Sequence, residues 1–159
     1  MLAEVLGSAS TADAHHITAP SPGGSGAVSC MEQALADAGV PASAVGQINA
    51  HGTSTPLNDA AEAEAIVKVF GATGPPVTSI KGVTGHSLGA AGALEAAAAV
   101  LSIERELIPP TMGTTTVDPE IPGIDVVTDT YRSWAPAPLL SNSFGFGGHN
   151  GCLVFGPPA

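Results

Sequence analysis

The sequence is poor in cations and aromatic side chains. It holds four Lys and Arg against 14 Asp and Glu among 159 residues, a formal net charge of −10, and only 4% of it is aromatic. The four cations, Lys68, Lys81, Arg105 and Arg132, are scattered and form no basic stripe that could neutralise a phosphate backbone. We therefore predict no nucleic-acid partner and no binding to an anionic membrane surface.

Cysteine and long apolar runs are also scarce. Cys30 and Cys152 are too few for a disulfide framework and no signal-peptide pattern opens the sequence, so we predict a cytoplasmic protein. The longest apolar stretch, 88–103, is rich in Ala and interrupted by Glu95, which is typical of a helix buried on all sides rather than of a membrane span. The five histidines show no H-E-x-x-H spacing and no nearby cysteine pair, so we predict no metal.

The chain does contain enough apolar residues for one core. Its 44% hydrophobic content, with so few charges, argues against disorder. Apolar patterns and Gly or Pro stops predict the element order β-α-β-α-β-α-β-β. The strands are predicted at 2–7, 45–50, 77–80, 139–143 and 151–155, and the helices at 28–38, 56–70 and 87–102, with a further extended segment near 125–128. This order predicts an α/β fold with a mixed five-stranded sheet, mostly parallel, whose last two strands form a hairpin at one edge.

The first motif with chemical character is HGTSTP at residues 51–56. His51 follows a predicted strand, and hydroxyl residues and a helix start come directly after it. Ligands of open α/β sheets bind at the carboxyl ends of the strands. His51 is therefore a candidate site residue.

The second motif is KGVTGHSLGAAGALE, from Lys81 to Glu95. His86 precedes a helix, where the positive end of the helix favours the neutral imidazole, whose N–H can stabilise a developing oxyanion. A carboxylate within an apolar helix is costly unless it is paired. We therefore predict a buried ion pair between Lys81 and Glu95, flanking His86.

The same segment allows a different interpretation. Residues 85–89 fit G-x-S-x-G, the nucleophile elbow of hydrolases and acyltransferases, with Ser87 as nucleophile. Asp118 or Asp129, and then His149, would complete the order Ser, Asp, His. An elbow needs a strand that runs directly into the serine, whereas Gly82 and Gly85 loosen this segment. The elbow also leaves His51, Lys81 and Glu95 without a role. We keep this alternative open as the less favoured one.

The third motif is the glycine-rich turn NSFGFGGHN at residues 142–150. It does not match a nucleotide loop, because a strand follows it rather than a helix. Such a turn can present backbone N–H groups to an oxyanion and carry a mobile phenylalanine as a gate.

Together the three motifs resemble those of the β-ketoacyl-acyl-carrier-protein synthases, of the elongating type similar to synthase II, and of polyketide ketosynthase domains. The resemblance runs from Leu2 to Phe155. It implies a thiolase-like fold, of which residues 1–159 would form the carboxyl-terminal half, with the amino-terminal half absent. It also implies decarboxylative Claisen condensation of a malonyl thioester with an acyl thioester, an acyltransferase activity in fatty acid or polyketide synthesis.

The resemblance implies a catalytic role for five residues. His51 and His86 would hydrogen-bond the malonyl thioester carbonyl and stabilise the enolate that forms as carbon dioxide leaves. Lys81 and Glu95 would hold the charge of the site and orient His86. The backbone N–H of Phe146 would contribute to an oxyanion hole.

Substrate contacts are implied as well. Thr53 and Thr55 would line a pantetheine channel, and Thr18 would lie near the pocket. Phe144 and Gly145 belong to the glycine-rich turn, in which a phenylalanine ring would act as the gate for the acyl group. The implied partners are an acyl carrier protein, bound through its phosphopantetheine arm, the amino-terminal half, and a second copy in a homodimer of the complete enzyme. No cofactor is implied.

The sequence departs from the family pattern in two ways. Neither Cys30 nor Cys152 stands where the family has its nucleophile, so the chain cannot form the acyl-enzyme alone. His149 stands where a small hydroxyl residue is expected. A non-catalytic partner similar to the chain-length factors is a further alternative, which the presence of Lys81 and both motif histidines disfavours.

Overall fold

A computed structural model describes residues 1–119, 121 and 123–159. Within them the strands are β1 (Glu4–Ala12), β2 (Gln47–Asn49), β3 (Val77–Thr78), β4 (Leu107–Ile108), β5 (Arg132–Ser133), β6 (Leu139–Gly145) and β7 (His149–Gly156). The helices are α1 (Ser25–Ala38), α2 (Pro56–Phe70), the single turn α3 (Lys81–Thr84) and α4 (Ala91–Arg105). Short 3₁₀ turns at 22–24, 42–44 and 88–90 join them.

The main sheet has five strands in the order β1-β7-β6-β2-β3. β2 is parallel to both β3 and β6, whereas β7 is antiparallel to both β6 and β1. The predicted mixed five-stranded α/β sheet is thus confirmed. The prediction of a mostly parallel sheet with a hairpin at its edge was wrong, because β1 pairs with β7 and places the β6–β7 hairpin inside the sheet.

The first strand is longer than the sequence pattern predicted, since β1 reaches Ala12 rather than Gly7. Its second half consists of small Ser, Ala and Thr side chains that give little strand signal on their own. The ladder to β7, from Glu4 opposite Gly156 to Ala12 opposite His149, supplies the missing hydrogen-bonding partners. A Cβ on Gly7 would lie 2.4 Å from the backbone N of Ala38, so this glycine allows α1 to pack closely on β1.

Helices cover both faces of the sheet. α1 and α2 share one core with the sheet, built around Met31, Ile48 and Leu140, while α4 packs with Leu139 and Phe155 on the opposite face. The prediction that α4 is buried on all sides was wrong. Its buried residues Ala91, Glu95, Ala99, Ser102 and Ile103 recur at helical spacing on one face, whereas Leu94 and Leu101 are 43% and 49% exposed.

Two smaller features complete the fold. β4 and β5 form a two-stranded ribbon that the sequence pattern did not indicate. The extended segment near 125–128 makes one parallel bridge, from Val126 to Val77, beside β3. No helix in the part of the chain that the structure describes is long and apolar enough to cross a membrane.

Candidate active site

His51 lies just beyond the carboxyl end of β2 and is 7% exposed. Its backbone N–H donates to Glu62 Oε1 at 2.9 Å, and the N–H of Gly52 donates to Glu62 Oε2, also at 2.9 Å. Gly52 has φ +45°, a turn conformation that glycine adopts readily. One carboxylate on α2 thus binds two consecutive N–H groups and holds the chain where it leaves the strand.

The predicted pair of Lys81 and Glu95 forms and is buried, with the two residues 9% and 1% exposed. The Lys81 ammonium also donates to the backbone oxygen of His51 and lies 3.4 Å from His51 Nδ1. We expected this pair to flank and orient His86, but these hydrogen bonds go to His51 instead. The reason is that the chain turns at Gly85, with φ +66°, before it reaches His86.

The environment of His51 keeps its ring neutral. Burial, then the charge of Lys81 and the neighbouring His86, lower the pKa of His51 to about 3. An ammonium group has only donors, so the Nδ1 atom that faces it is an acceptor and the proton of the ring lies on Nε2. His51 therefore presents an Nε2–H donor.

His86 presents the same donor. It is exposed, and its Nδ1 accepts the backbone N–H of Leu88 at 3.2 Å, which leaves Nε2 as the ring nitrogen that carries a proton. The centroids of the His51 and His86 rings lie 5.5 Å apart, with the ring planes at 83°. Two histidine donors from different loops thus meet at one edge of the sheet.

The low pKa of His51 makes a direct prediction. We expect the ¹⁵N resonances of the His51 ring to report a neutral ring protonated on Nε2 from pH 8 down to about pH 4, because its pKa is about 3. In Lys81→Met the pKa should rise but stay below the ordinary 6.5, since burial is the larger cause. A midpoint near 6.5 in the unmodified chain would contradict this description of the site.

The glycine-rich turn lies beside His51. The ring centroid of Phe144, on β6, is 6.1 Å from that of His51. Gly145 ends the strand, and Phe146 begins the turn with its side chain 78% exposed. Of the two phenylalanines in this motif, Phe144 is therefore the one beside His51. The role of the Phe146 N–H in an oxyanion hole stays a prediction.

The three predicted substrate-binding threonines fall into two groups. Thr53 and Thr55 follow His51, and their hydroxyl oxygens lie 2.8 Å apart. Thr18 is exposed, and its backbone N–H donates to His16 Nδ1 at 3.1 Å. The loop that carries it does approach the glycine-rich turn, because the Gly147 N–H donates to Ile17 O at 2.7 Å.

Sequence reasoning missed Glu62 and Asn142. Both are buried, and Asn142 Nδ2 donates to Glu62 Oε1 at 3.2 Å. Burial raises the pKa of the Glu62 carboxyl, although the bonds from Gly52 and His51 oppose this. A usable signal existed for Glu62, because this carboxylate lies one turn before the buried Ile66 on α2.

Comparison with known proteins shows the family. The sequence profile of the beta-ketoacyl synthase C-terminal domain matches residues 2–115. The chain belongs to the beta-ketoacyl synthase family. A 3-oxoacyl-[acyl-carrier-protein] synthase 2 from Synechocystis sp. is 47% identical over 154 residues, 96% of this chain and 37% of the relative. The chain therefore spans a little over a third of that relative's length.

Solved structures agree with this family. The ishigamide ketosynthase/chain length factor is 40% identical with a TM-score of 0.95, over 99% of this chain and 38% of that one. A type II polyketide acyl carrier protein in complex with its ketosynthase bound to the hexaketide gives 36% identity and a TM-score of 0.94, over 99% and 39%. The predicted thiolase-like α/β fold is confirmed.

The Ser87 alternative does not fit the geometry of this ketosynthase domain. β3 ends at Thr78, and the helical turn α3 lies between it and Ser87. A nucleophile elbow requires the strand to run directly into the serine. The structure therefore contradicts the less favoured alternative of an elbow at residues 85–89, because α3 separates β3 from Ser87.

Proposed function

We propose that this chain supplies the two-histidine part of a site for decarboxylative condensation of malonyl thioesters. The observation that carries the proposal is the pair of Nε2–H donors on His51 and His86, with ring centroids 5.5 Å apart. Two N–H donors on rings this close together are suited to an oxygen that gains negative charge during a reaction.

The chemistry then follows from the donors. The thioester carbonyl of the malonyl group accepts hydrogen bonds from both rings. The bond between C2 and the carboxylate carbon then breaks, and carbon dioxide leaves. The electron pair of that bond stays on the malonyl fragment and forms an enolate, whose oxygen the two N–H groups stabilise. C2 then attacks the carbonyl of the acyl thioester, and the thiolate leaves. Lys81 supports the reaction by fixing the His51 ring and its tautomer, and its charge adds to the effect of burial in lowering the pKa of that ring.

The acyl group needs a nucleophile from elsewhere. Cys30 and Cys152 are 0% and 1% exposed and lie in the core, where no thioester reaches them. We propose that the amino-terminal half of a complete synthase supplies this cysteine. We further propose that an acyl carrier protein delivers the malonyl group, with Thr53 and Thr55 beside its pantetheine arm. Phe144 and the Phe146 N–H would lie at the end of the pocket that holds the acyl group, and Thr18 would lie near the entrance of the pocket. The homodimer and the cytoplasmic location remain predictions.

Reconstitution tests the proposal. The chain is combined with the amino-terminal half of a synthase, and carrier-bound products are followed by mass spectrometry with a malonyl carrier and an acyl donor. We expect a product extended by two carbons, lost when both His51 and His86 are alanine and retained in the His15→Ala control. Binding of the two halves without turnover would instead support the non-catalytic chain-length-factor role.

A further inference from the structure

A line of polar contacts leads from the middle of the core to His51. It begins at Cys152 on β7, whose Sγ donates to Asn142 Oδ1 at 3.3 Å across the β6–β7 ladder. Asn142 Nδ2 donates to Glu62 Oε1, which also accepts the His51 N–H. Cys152 and Asn142 are 1% and 0% exposed, so water does not compete for these bonds.

The orientation of the Asn142 amide depends on both of its ends. Glu62 receives backbone N–H groups on both oxygens, so it acts as an acceptor and requires the NH₂ group of Asn142 on its side. The Oδ1 atom then points away, and the Cys152 thiol is the donor that meets it. If the amide flipped, an oxygen would face the carboxylate and repel it.

The thiol is suited to this task because it keeps its proton. The neighbouring Cys30 thiol and burial raise the pKa of Cys152, so its S–H stays a donor throughout the working pH range. A small, weakly polar donor also fits among the apolar side chains of this core at little cost.

We propose that Cys152 is a positioning residue for His51, acting through the side chains of Asn142 and Glu62. The proposal rests on the proposed function, since it assigns Cys152 to the same site. The thiol fixes the amide, the amide fixes the carboxylate, and the carboxylate fixes the N–H groups of His51 and Gly52. Lys81 holds His51 independently, through its contacts with the backbone oxygen and Nδ1 of that residue.

The chain offers a matched control in Cys30. It belongs to the same core cluster, is also fully buried and neighbours the Cys152 thiol, but its Sγ donates to the backbone oxygen of Ala9 at 3.5 Å rather than to Asn142. Ala9 lies opposite Cys152 in the β1–β7 ladder, so Cys30→Ala removes the same volume from the same part of the core. A purely structural role for the thiols predicts that both alanine variants behave alike.

Nuclear magnetic resonance of the 159-residue chain tests the proposal without any assay of activity. We expect Cys152→Ala to move the backbone amide resonances of His51 and Gly52 by several times the shift seen in Cys30→Ala. Cys152→Ser keeps a donor and should return these resonances toward their original positions. Equal shifts in both alanine variants, or no rescue by serine, would overturn the proposal.

A kinetic comparison in the reconstituted synthase adds a second readout. Cys152→Ala should lower kcat by roughly threefold to tenfold, the effect of one orphaned buried acceptor, with KM for the malonyl carrier unchanged. Cys152→Ser and Cys30→Ala should keep kcat within about twofold. If His51→Ala leaves turnover unchanged, the proposed function is contradicted. The comparison of amide resonances in Cys152→Ala and Cys30→Ala still tests the positioning role in that case. A fall in kcat that is equal in both alanine variants contradicts that role.

Discussion

Replacing either His51 or His86 by alanine should slow decarboxylation of the malonyl carrier in the reconstituted enzyme by about a hundredfold to a thousandfold, the usual cost of losing one oxyanion donor. Each ring presents one Nε2–H, so neither can replace the other. The release of carbon dioxide is the quantity to measure, because it reports enolate formation separately from acyl transfer. His15→Ala, in the exposed loop before α1, is the histidine control.

The two variants should differ in stability. His51→Ala removes a buried ring that contacts Lys81 and Phe144, so the free energy of unfolding should fall by about 2 kcal/mol or more. His86 is exposed, and its replacement should change the unfolding free energy by less than about 0.5 kcal/mol. His86→Asn keeps a side-chain N–H and should recover part of the rate. Decarboxylation within threefold of the unmodified enzyme in both alanine variants would contradict the proposed roles.

The three motifs could be found from the sequence because their chemistry is local. Each joins the end of a strand to the start of a helix or strand, and the sheet then brings those ends together. His51 and His86 are a case in point, since β2 and β3 are parallel neighbours and both segments leave the same edge. The pair of Lys81 and Glu95 could be predicted because the apolar neighbours of a buried carboxylate on this helix offer it no other charged partner.

Contacts between distant segments could not be found in this way. The pairing of β1 with β7 joins the two ends of the chain, and no local pattern fixes the register of such a ladder. Asn142 and Glu62 are 80 residues apart, so their bond depends on how α2 crosses the sheet. Which of the two histidines Lys81 contacts likewise depends on the turn at Gly85, and the spacing of the residues along the sequence does not reveal that turn.

Replacing Lys81 by methionine should be among the most destabilising single changes in the chain. The variant leaves the Glu95 carboxylate, 1% exposed, without its cation, and breaking a buried pair in this way costs about 3–5 kcal/mol. Urea unfolding of the chain measures the loss. Lys68→Met is the matched control, because that lysine pairs with Glu64 at 3.9 Å in a half-exposed geometry, and such a pair contributes about 1 kcal/mol or less.

The double variant Lys81→Met/Glu95→Leu separates folding from chemistry. Removing both charges eliminates the uncompensated carboxylate, so most of the lost stability should return. Turnover should not return, because the His51 oxygen and Nδ1 still lack the ammonium that fixes the ring and its tautomer. If activity recovered together with stability, the pair would serve the fold alone. If neither single nor double variant changed stability, the burial of the pair would have no energetic consequence, contrary to its geometry.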